Sequence, residues 1–179
     1  MKLNRDISSI RPTHVLSLSG VNDTIVANHV SNGFVGFLID PLVQGKLFER
    51  LNDSIPEVSR PNRWLEESQT MNSICINNNA CFLRFLQPCL GSPKNPTPDM
   101  SPALLKMMLN IRELFGENYD QRVHSFYNSL INSELPSFVV DISHLLPNED
   151  PLWMDSRHPS DKGYRIIANE IINKIKAGL

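Results

Sequence analysis

The sequence predicts an α/β fold, a three-layer αβα sandwich built on a parallel sheet. Short apolar runs that end at turn residues are typical of strands, and they alternate with longer segments whose apolar residues recur at helical spacing. Strands separated by helices pair in parallel and carry the helices on the faces of the sheet. With 179 residues and a hydrophobic fraction of 41%, the chain is expected to form one domain over residues 1–179.

The first half of the chain is expected to contribute helices around a single strand. A short helix is predicted at residues 3–10, and a strand at residues 13–18, where an apolar run ends in Gly20. Residues 46–55 have helical spacing, and residues 71–77 are expected to end a second helix before the next strand. The region between residues 24 and 73 is otherwise less regular in sequence.

The second half has clearer boundaries. Strands are predicted at residues 81–86 and 137–142, and a helix at residues 119–132. Another helix begins at Pro102, with Ser101 as its cap, because proline is favoured at the first helical position. The last helix is expected from Ser160 to residue 177, and Gly163 and Tyr164 are expected to let it pack closely on the sheet. The isoleucines expected to face the core are Ile166, Ile167, Ile171, Ile172 and Ile175.

Composition excludes several classes of function. The formal net charge is −2 without a basic stripe, so nucleic acid is not an expected partner. No apolar run reaches a membrane-spanning length, and no signal-peptide core follows the first residues. Cys75, Cys81 and Cys89 lack metal-site spacing, as do the histidines, so no metal or cofactor is expected. Buried free thiols favour a reducing, cytoplasmic location.

The most informative motif lies just before the last helix, where Asp155 and His158 are three residues apart. A loop at this position can turn back so that both side chains reach one point. The carboxylate can then bond to Nδ1–H of the imidazole and leave Nε2 free to act as a base. These two residues are therefore candidate members of a catalytic triad, although a solvated histidine near a helix start is the common alternative.

A second motif follows the first strand, where Gly20-Val21-Asn22-Asp23 forms a strand-to-turn pattern. Open α/β sheets bind their ligands at the carboxyl ends of the strands. An Asn22 side chain at this end can donate a hydrogen bond to a developing oxyanion. The alternative is a simple turn, because glycine, asparagine and aspartate favour turns for local reasons.

Taken together, the two motifs resemble those of the SGNH (GDSL-type) hydrolase family. In that family a Gly-x-Asn-Asp turn supplies an oxyanion-hole asparagine, and a late Asp-x-x-His supplies the acid and base of a triad. Residues 81–88 resemble the family's next strand, which often ends in Gln-Pro, and residues 138–143 resemble the strand before the catalytic loop. The resemblance covers almost the whole chain.

The resemblance implies an SGNH or flavodoxin-like sandwich that hydrolyses esters of lipids, short acyl groups or acetylated sugars. It implies that His158 and Asp155 are catalytic and that Asn22 and Gly20 belong to the oxyanion hole. Trp64 and the loop of residues 92–100 are further candidates for lining the substrate cleft, although exposed loop residues are the commoner alternative.

The sequence departs from the family at its start. Family members carry the nucleophilic serine on a Gly-Asp-Ser turn that precedes the Gly-x-Asn-Asp strand, and this sequence contains no such turn. Ser17 and Ser19 lie within the predicted strand and are expected to pack or turn there. The expectation is therefore a domain truncated at its N-terminus, with no nucleophile in this chain and with a partner covering the open edge of the first strand.

Three hypotheses for function follow from these observations. The first is a serine esterase that is inactive as given and whose nucleophile segment is supplied elsewhere. The second is a non-catalytic remnant or binding protein that keeps the fold and its cleft. The third gives the nucleophilic role to a cysteine, for which Cys89 is the candidate because it follows the Gln-Pro strand end.

Overall fold

A computed structural model describes residue 7 and residues 9–20, 60–94, 100–115 and 117–177. Within these residues the fold is mixed α/β, with a three-stranded sheet and four helices. The strands are β1 (His14–Ser19), β2 (Cys81–Leu86) and β3 (Val139–Asp141). The helices are α1 (Arg60–Asn77), α2 (Pro102–Phe115), α3 (Tyr119–Ile131) and α4 (Asp161–Lys176).

The sheet is parallel, with the order β1-β2-β3, as the alternation of strands and helices predicts. In its register Ser19 lies opposite Leu86, and Leu86 lies opposite Asp141, so all three strands end at the same edge. Five of the six β2 residues are buried, which places this strand at the centre of the core. On its other side β1 pairs with none of the described strands, and Leu16 on β1 is 46% exposed.

Most boundaries agree with the sequence, because they depend on local signals. The bounds of β2 are those predicted, β1 is displaced by one residue, and β3 is shorter than expected. Ser101 caps α2 through its Oγ, which accepts a hydrogen bond from Leu104 N at 3.3 Å. Ser160 caps α4 in the same way, because its Oγ accepts from Gly163 N at 3.3 Å. Of the helix predicted at residues 3–10, residues 7, 9 and 10 are described and are helical, and the helix predicted at residues 46–55 lies outside the described residues.

Helix α1 begins before the part that the sequence predicted, residues 71–77. The earlier part was not recognised because the buried face of the helix is partly polar. Trp64, Ser68 and Cys75 are all buried on it, so the apolar stripe that marks a helix is interrupted by a serine. Its hydroxyl groups also hide the pattern, since Ser68 and Ser73 donate to the carbonyl oxygens four residues earlier. The buried serine on this face has a polar partner in the core, Arg84, and this long-range contact cannot be identified from the helix sequence alone.

Two predictions about α4 and one about the cysteines are wrong. Ile167 is buried, but Ile172 is 46% exposed and Tyr164 is 42% exposed, since both lie off the stripe that faces the core. Cys81 is exposed, whereas Cys75 and Cys89 are buried as expected, because the first residue of β2 lies at the rim of the sheet. Among the described helices, none combines the length and the apolar character that crossing a membrane requires.

Candidate active site

Gly20, the first candidate residue along the chain, lies at the edge of the sheet where all three strands end. Gln87 N, just after β2, donates to Ser19 O at the end of β1 over 3.0 Å. Ile142 N, just after β3, donates to Leu86 O over 3.2 Å. Gly20 follows Ser19 directly and therefore lies at the edge where parallel α/β sheets bind their ligands.

The Asp155–His158 motif lies in a tight loop between the short 3-10 helix Asp150–Leu152 and α4. Trp153 pairs with Pro159 as an isolated antiparallel bridge, and this pairing closes the 153–159 loop. Within it His158 O accepts from the backbone N–H groups of Met154 and Asp155 at 2.9 and 3.3 Å. The chain thus reverses direction between Asp155 and His158, as the sequence motif requires.

Asp155 and His158 meet in the geometry of a carboxylate–imidazole pair. Nδ1–H of His158 donates to Asp155 Oδ2 at 2.7 Å, which is the tautomer that an ionised carboxylate selects. The other carboxylate oxygen, Oδ1, accepts from the backbone N–H groups of Arg157 and His158 at 2.7 and 2.9 Å. Nε2 of His158 makes no hydrogen bond within the described part of the chain, and its side chain is 42% exposed. This nitrogen can therefore accept a proton from a group that arrives from solvent.

The electrostatics of the pair keep Asp155 ionised. Partial burial raises the pKa of its carboxyl group. Hydrogen bonds from the His158 side chain and from two backbone N–H groups lower this pKa, and together they outweigh the effect of burial. The net pKa of Asp155 lies below its ordinary value of 3.8. At neutral pH the carboxylate is charged, so it can orient the imidazole and stabilise an imidazolium.

The 153–159 loop is positioned by the segment that follows β2, residues 87–90. Leu90 N donates to Ser156 O at 3.2 Å, and the Cys89 thiol contacts the same oxygen at 3.7 Å. Gln87 Nε2 donates to the next carbonyl, Arg157 O, at 3.5 Å. Sequence reasoning did not include Gln87 in the site, and its position just before Pro88 at a strand end is the one signal that points to it.

Gly20 lies against the same segment and has no space for a side chain. Its φ is +136°, and a Cβ atom would lie 2.8 Å from Leu86 Cδ1 and 3.1 Å from the Tyr127 hydroxyl. That hydroxyl donates to Gln87 O at 2.9 Å. Gly20 and the Asp155–His158 loop are therefore connected through Gln87, whose carbonyl accepts from Tyr127 and whose side-chain amide donates to Arg157 O. Asn22, the predicted oxyanion donor, lies outside the described residues.

Trp64 is part of the buried core and does not line a cleft. It is 1% exposed, and its Nε1 donates to Ser19 Oγ at 3.2 Å. Arg84, which sequence reasoning missed, stacks on the Trp64 ring at 4.0 Å and donates from Nε to Ser19 Oγ at 3.0 Å. The same guanidinium donates to Trp64 O and to Ser68 Oγ at 3.1 and 2.8 Å. Ser19 is therefore half-buried and held by hydrogen bonds from two buried side chains, in agreement with its predicted packing role.

Cys89, the candidate cysteine nucleophile, and Asp141, at the end of β3, have structural roles. Cys89 is fully buried, and desolvation raises the pKa of its thiol to about 12, so a reactive thiolate is absent at neutral pH. This burial argues against Cys89 as a nucleophile. Asp141 Oδ1 accepts from Ser143 N at 2.9 Å and so stabilises the turn after β3. Among the described residues, no group of three histidine, cysteine or acidic side chains is placed to bind a metal ion.

No protein-family model, no curated protein and no solved structure matches this chain. The likeness to SGNH hydrolases therefore stays a prediction made from the two sequence motifs.

Proposed function

We propose that the chain carries the acid and base of an acyl-ester hydrolase of the SGNH (GDSL-type) class, in a three-layer αβα sandwich. The observation that supports this most directly is the 2.7 Å bond from His158 Nδ1 to Asp155, which leaves Nε2 open to solvent. The position of Gly20 at the carboxyl edge of the sheet agrees with it.

In the proposed reaction His158 Nε2 removes the proton of a serine hydroxyl, which attacks the ester carbonyl carbon. The ester C–O bond then breaks, and the imidazolium returns its proton to the leaving alcohol. Water, activated by the same imidazole, releases the acid and restores the serine. Asp155 keeps the imidazole in the correct tautomer throughout, and Asn22 with backbone N–H groups would bind the oxyanion.

We propose that the nucleophilic serine comes from a segment other than the described residues. The Ser19 hydroxyl accepts hydrogen bonds from Arg84 and Trp64, and Ser156, within the 153–159 loop, is fully buried. A parallel segment or second chain along the side of β1 that pairs with none of the described strands would bring its carboxyl end next to Gly20, because parallel strands end together. The partner expected at this edge thus has a chemical role in the proposal.

The second candidate is a binding protein that has the same fold and carries out no catalysis. The placement of Ser19 and Ser156 favours it, since the Ser19 hydroxyl is engaged by Arg84 and Trp64 and Ser156 is fully buried. For the ester hydrolase, the substrate class includes esters of lipids, of short acyl groups and of acetylated sugars. For the binding protein, a ligand is expected to bind at the same carboxyl edge of the sheet.

The deciding experiment uses the protein produced from its own gene, purified and measured by intact mass and by hydrolysis of p-nitrophenyl acetate. For a hydrolase we expect a mass above 20.3 kDa, or a co-purifying chain, together with turnover. His158→Ala should then lower kcat by roughly a thousandfold or more, whereas His124→Ala on the exposed side of α3 should retain it. A protein of 20.3 kDa without turnover contradicts the proposal and favours the binding protein.

A further inference from the structure

Gln87 bonds through each of its three polar groups to a different part of the site. Its backbone N–H donates to Ser19 O at the end of β1, over 3.0 Å. Its carbonyl accepts from the Tyr127 hydroxyl, over 2.9 Å. Its side-chain amide donates to Arg157 O in the 153–159 loop, over 3.5 Å. Gln87 therefore connects the strand that leads into Gly20 with the loop that carries His158.

The contacts that shape the Asp155–His158 pair do not determine where the pair lies relative to the sheet. The bonds to both Asp155 oxygens and to His158 O come from residues of the loop itself. The loop is placed against the carboxyl end of β2 by different bonds, those that Gln87, Cys89 and Leu90 make to two consecutive carbonyls. These are the carbonyls of Ser156 and Arg157, the residues directly before His158.

We propose that Gln87 is a positioning residue that sets the place of His158 relative to the turn at Gly20. The inference rests on the proposed function, in which the base acts at that turn. Its backbone is well suited to the role, because a residue before proline is restricted to extended conformations and Pro88 follows. The direction of the Gln87 side chain is thereby limited before the loop contacts it. The required group is a donor, since its partner is a carbonyl oxygen, and glutamate or methionine cannot replace it.

The test is amide hydrogen exchange measured by NMR on wild type, Gln87→Met and Gln87→Glu. Loss of the side-chain donor should let the loop leave the 87–90 segment more often. The Leu90 N–H, which bonds to Ser156 O, should then exchange roughly two- to tenfold faster, the range expected for one neutral hydrogen bond. The His158 N–H, which bonds to Asp155 within the loop, should exchange at the wild-type rate. Gln69→Met, at an exposed position on α1, is the matched control and should change neither amide.

Unchanged exchange at Leu90 in both Gln87 variants overturns the proposal. Equal acceleration at Leu90, at His158 and along α4 also overturns it, because that pattern indicates general destabilisation. If the protein hydrolyses esters, Gln87→Met should lower kcat with little change in KM, since the residue acts on the base. Faster exchange at Leu90 in a protein that hydrolyses no ester contradicts the proposed function and leaves the positioning role supported. If the enzyme is active and the Leu90 N–H exchanges at the wild-type rate in both Gln87 variants, the positioning role is contradicted and the proposed function is not.

Discussion

Gly163→Ala separates the effect of helix propensity from the effect of packing at one position of α4. Gly163 is the third residue of the helix, and alanine is the better helix former there by about 1 kcal/mol. The position is buried, however, and a Cβ atom would lie 2.5 Å from Leu152 O and 2.8 Å from Pro159 Cβ. Leu152 O is the acceptor for Ser160 N at 2.9 Å, so any shift of that carbonyl also disturbs the helix cap.

The packing effect should win. Overpacking of a buried position typically costs about 1–3 kcal/mol, and about 2 kcal/mol is expected here because the nearest atom belongs to the backbone and cannot turn aside as a side chain can. Weakening of the Ser160 hydrogen bond adds about 1 kcal/mol. After subtraction of the propensity gain, we expect Gly163→Ala to lower the free energy of unfolding by about 2 kcal/mol. For a chain of this size the melting temperature should fall by roughly 4–8 °C.

Urea denaturation followed by circular dichroism measures this difference. Ala168→Gly, an exposed change on the same helix, isolates propensity and should cost about 1 kcal/mol. If Gly163→Ala proves as stable as wild type or more stable, the close approach of α4 to Leu152 is wrong. The position of α4 against the 153–159 loop would then need to be revised as well.

Two further predictions concern the buried arginine and the pH dependence of stability. Arg84→Lys keeps the charge but cannot reach Ser19, Ser68 and Trp64 O together, so urea denaturation should show a loss of about 2 kcal/mol. The exposed change Arg63→Lys should stay within about 0.5 kcal/mol, and equal effects would refute the network. The lowered pKa of Asp155 contributes stability above its unfolded value of 3.8, and this contribution disappears as pH falls through the folded value. Because the Asp155 side chain is 39% exposed, the difference in unfolding free energy between wild type and Asp155→Asn should be under about 1 kcal/mol at pH 7. This difference should disappear as the pH falls through the lowered pKa of Asp155, and a constant difference would contradict the prediction.

The features that the sequence predicted well depend on residues close together along the chain. The bounds of β2, the caps at Ser101 and Ser160, and the reversal that joins Asp155 to His158 all involve spacings of five residues or fewer. The first part of α1, residues 60–70, and the burial of Trp64 were missed because the contacts that bury them include the bond from Arg84 to Trp64 O, which spans 20 residues. The exposure of Ile172 was missed because helical spacing does not define where the buried stripe ends.

The candidate site divides in the same way. The carboxylate–imidazole pair and the glycine turn can be identified from the sequence, because each motif forms its own local hydrogen bonds or has its own backbone requirement. The sequence does not indicate that the pair and the glycine lie near each other. The hydrogen bonds that connect them are long-range, since the bond from Gln87 to Arg157 spans 70 residues and the bond from Tyr127 to Gln87 spans 40. No local preference records which strand end will meet which loop.

The sequence by itself thus determined the alternation of strands and helices, the parallel sheet and the hydrogen bond between Asp155 and His158. Periodicity, capping and short-range hydrogen bonds act within a few residues and leave a direct mark on the sequence. Only the tertiary structure decided that the 153–159 loop lies on the carboxyl end of β2, that Gly20 lies against Tyr127, and that Trp64 is buried. These outcomes follow from close packing between distant segments, which depends on the shape of the whole core.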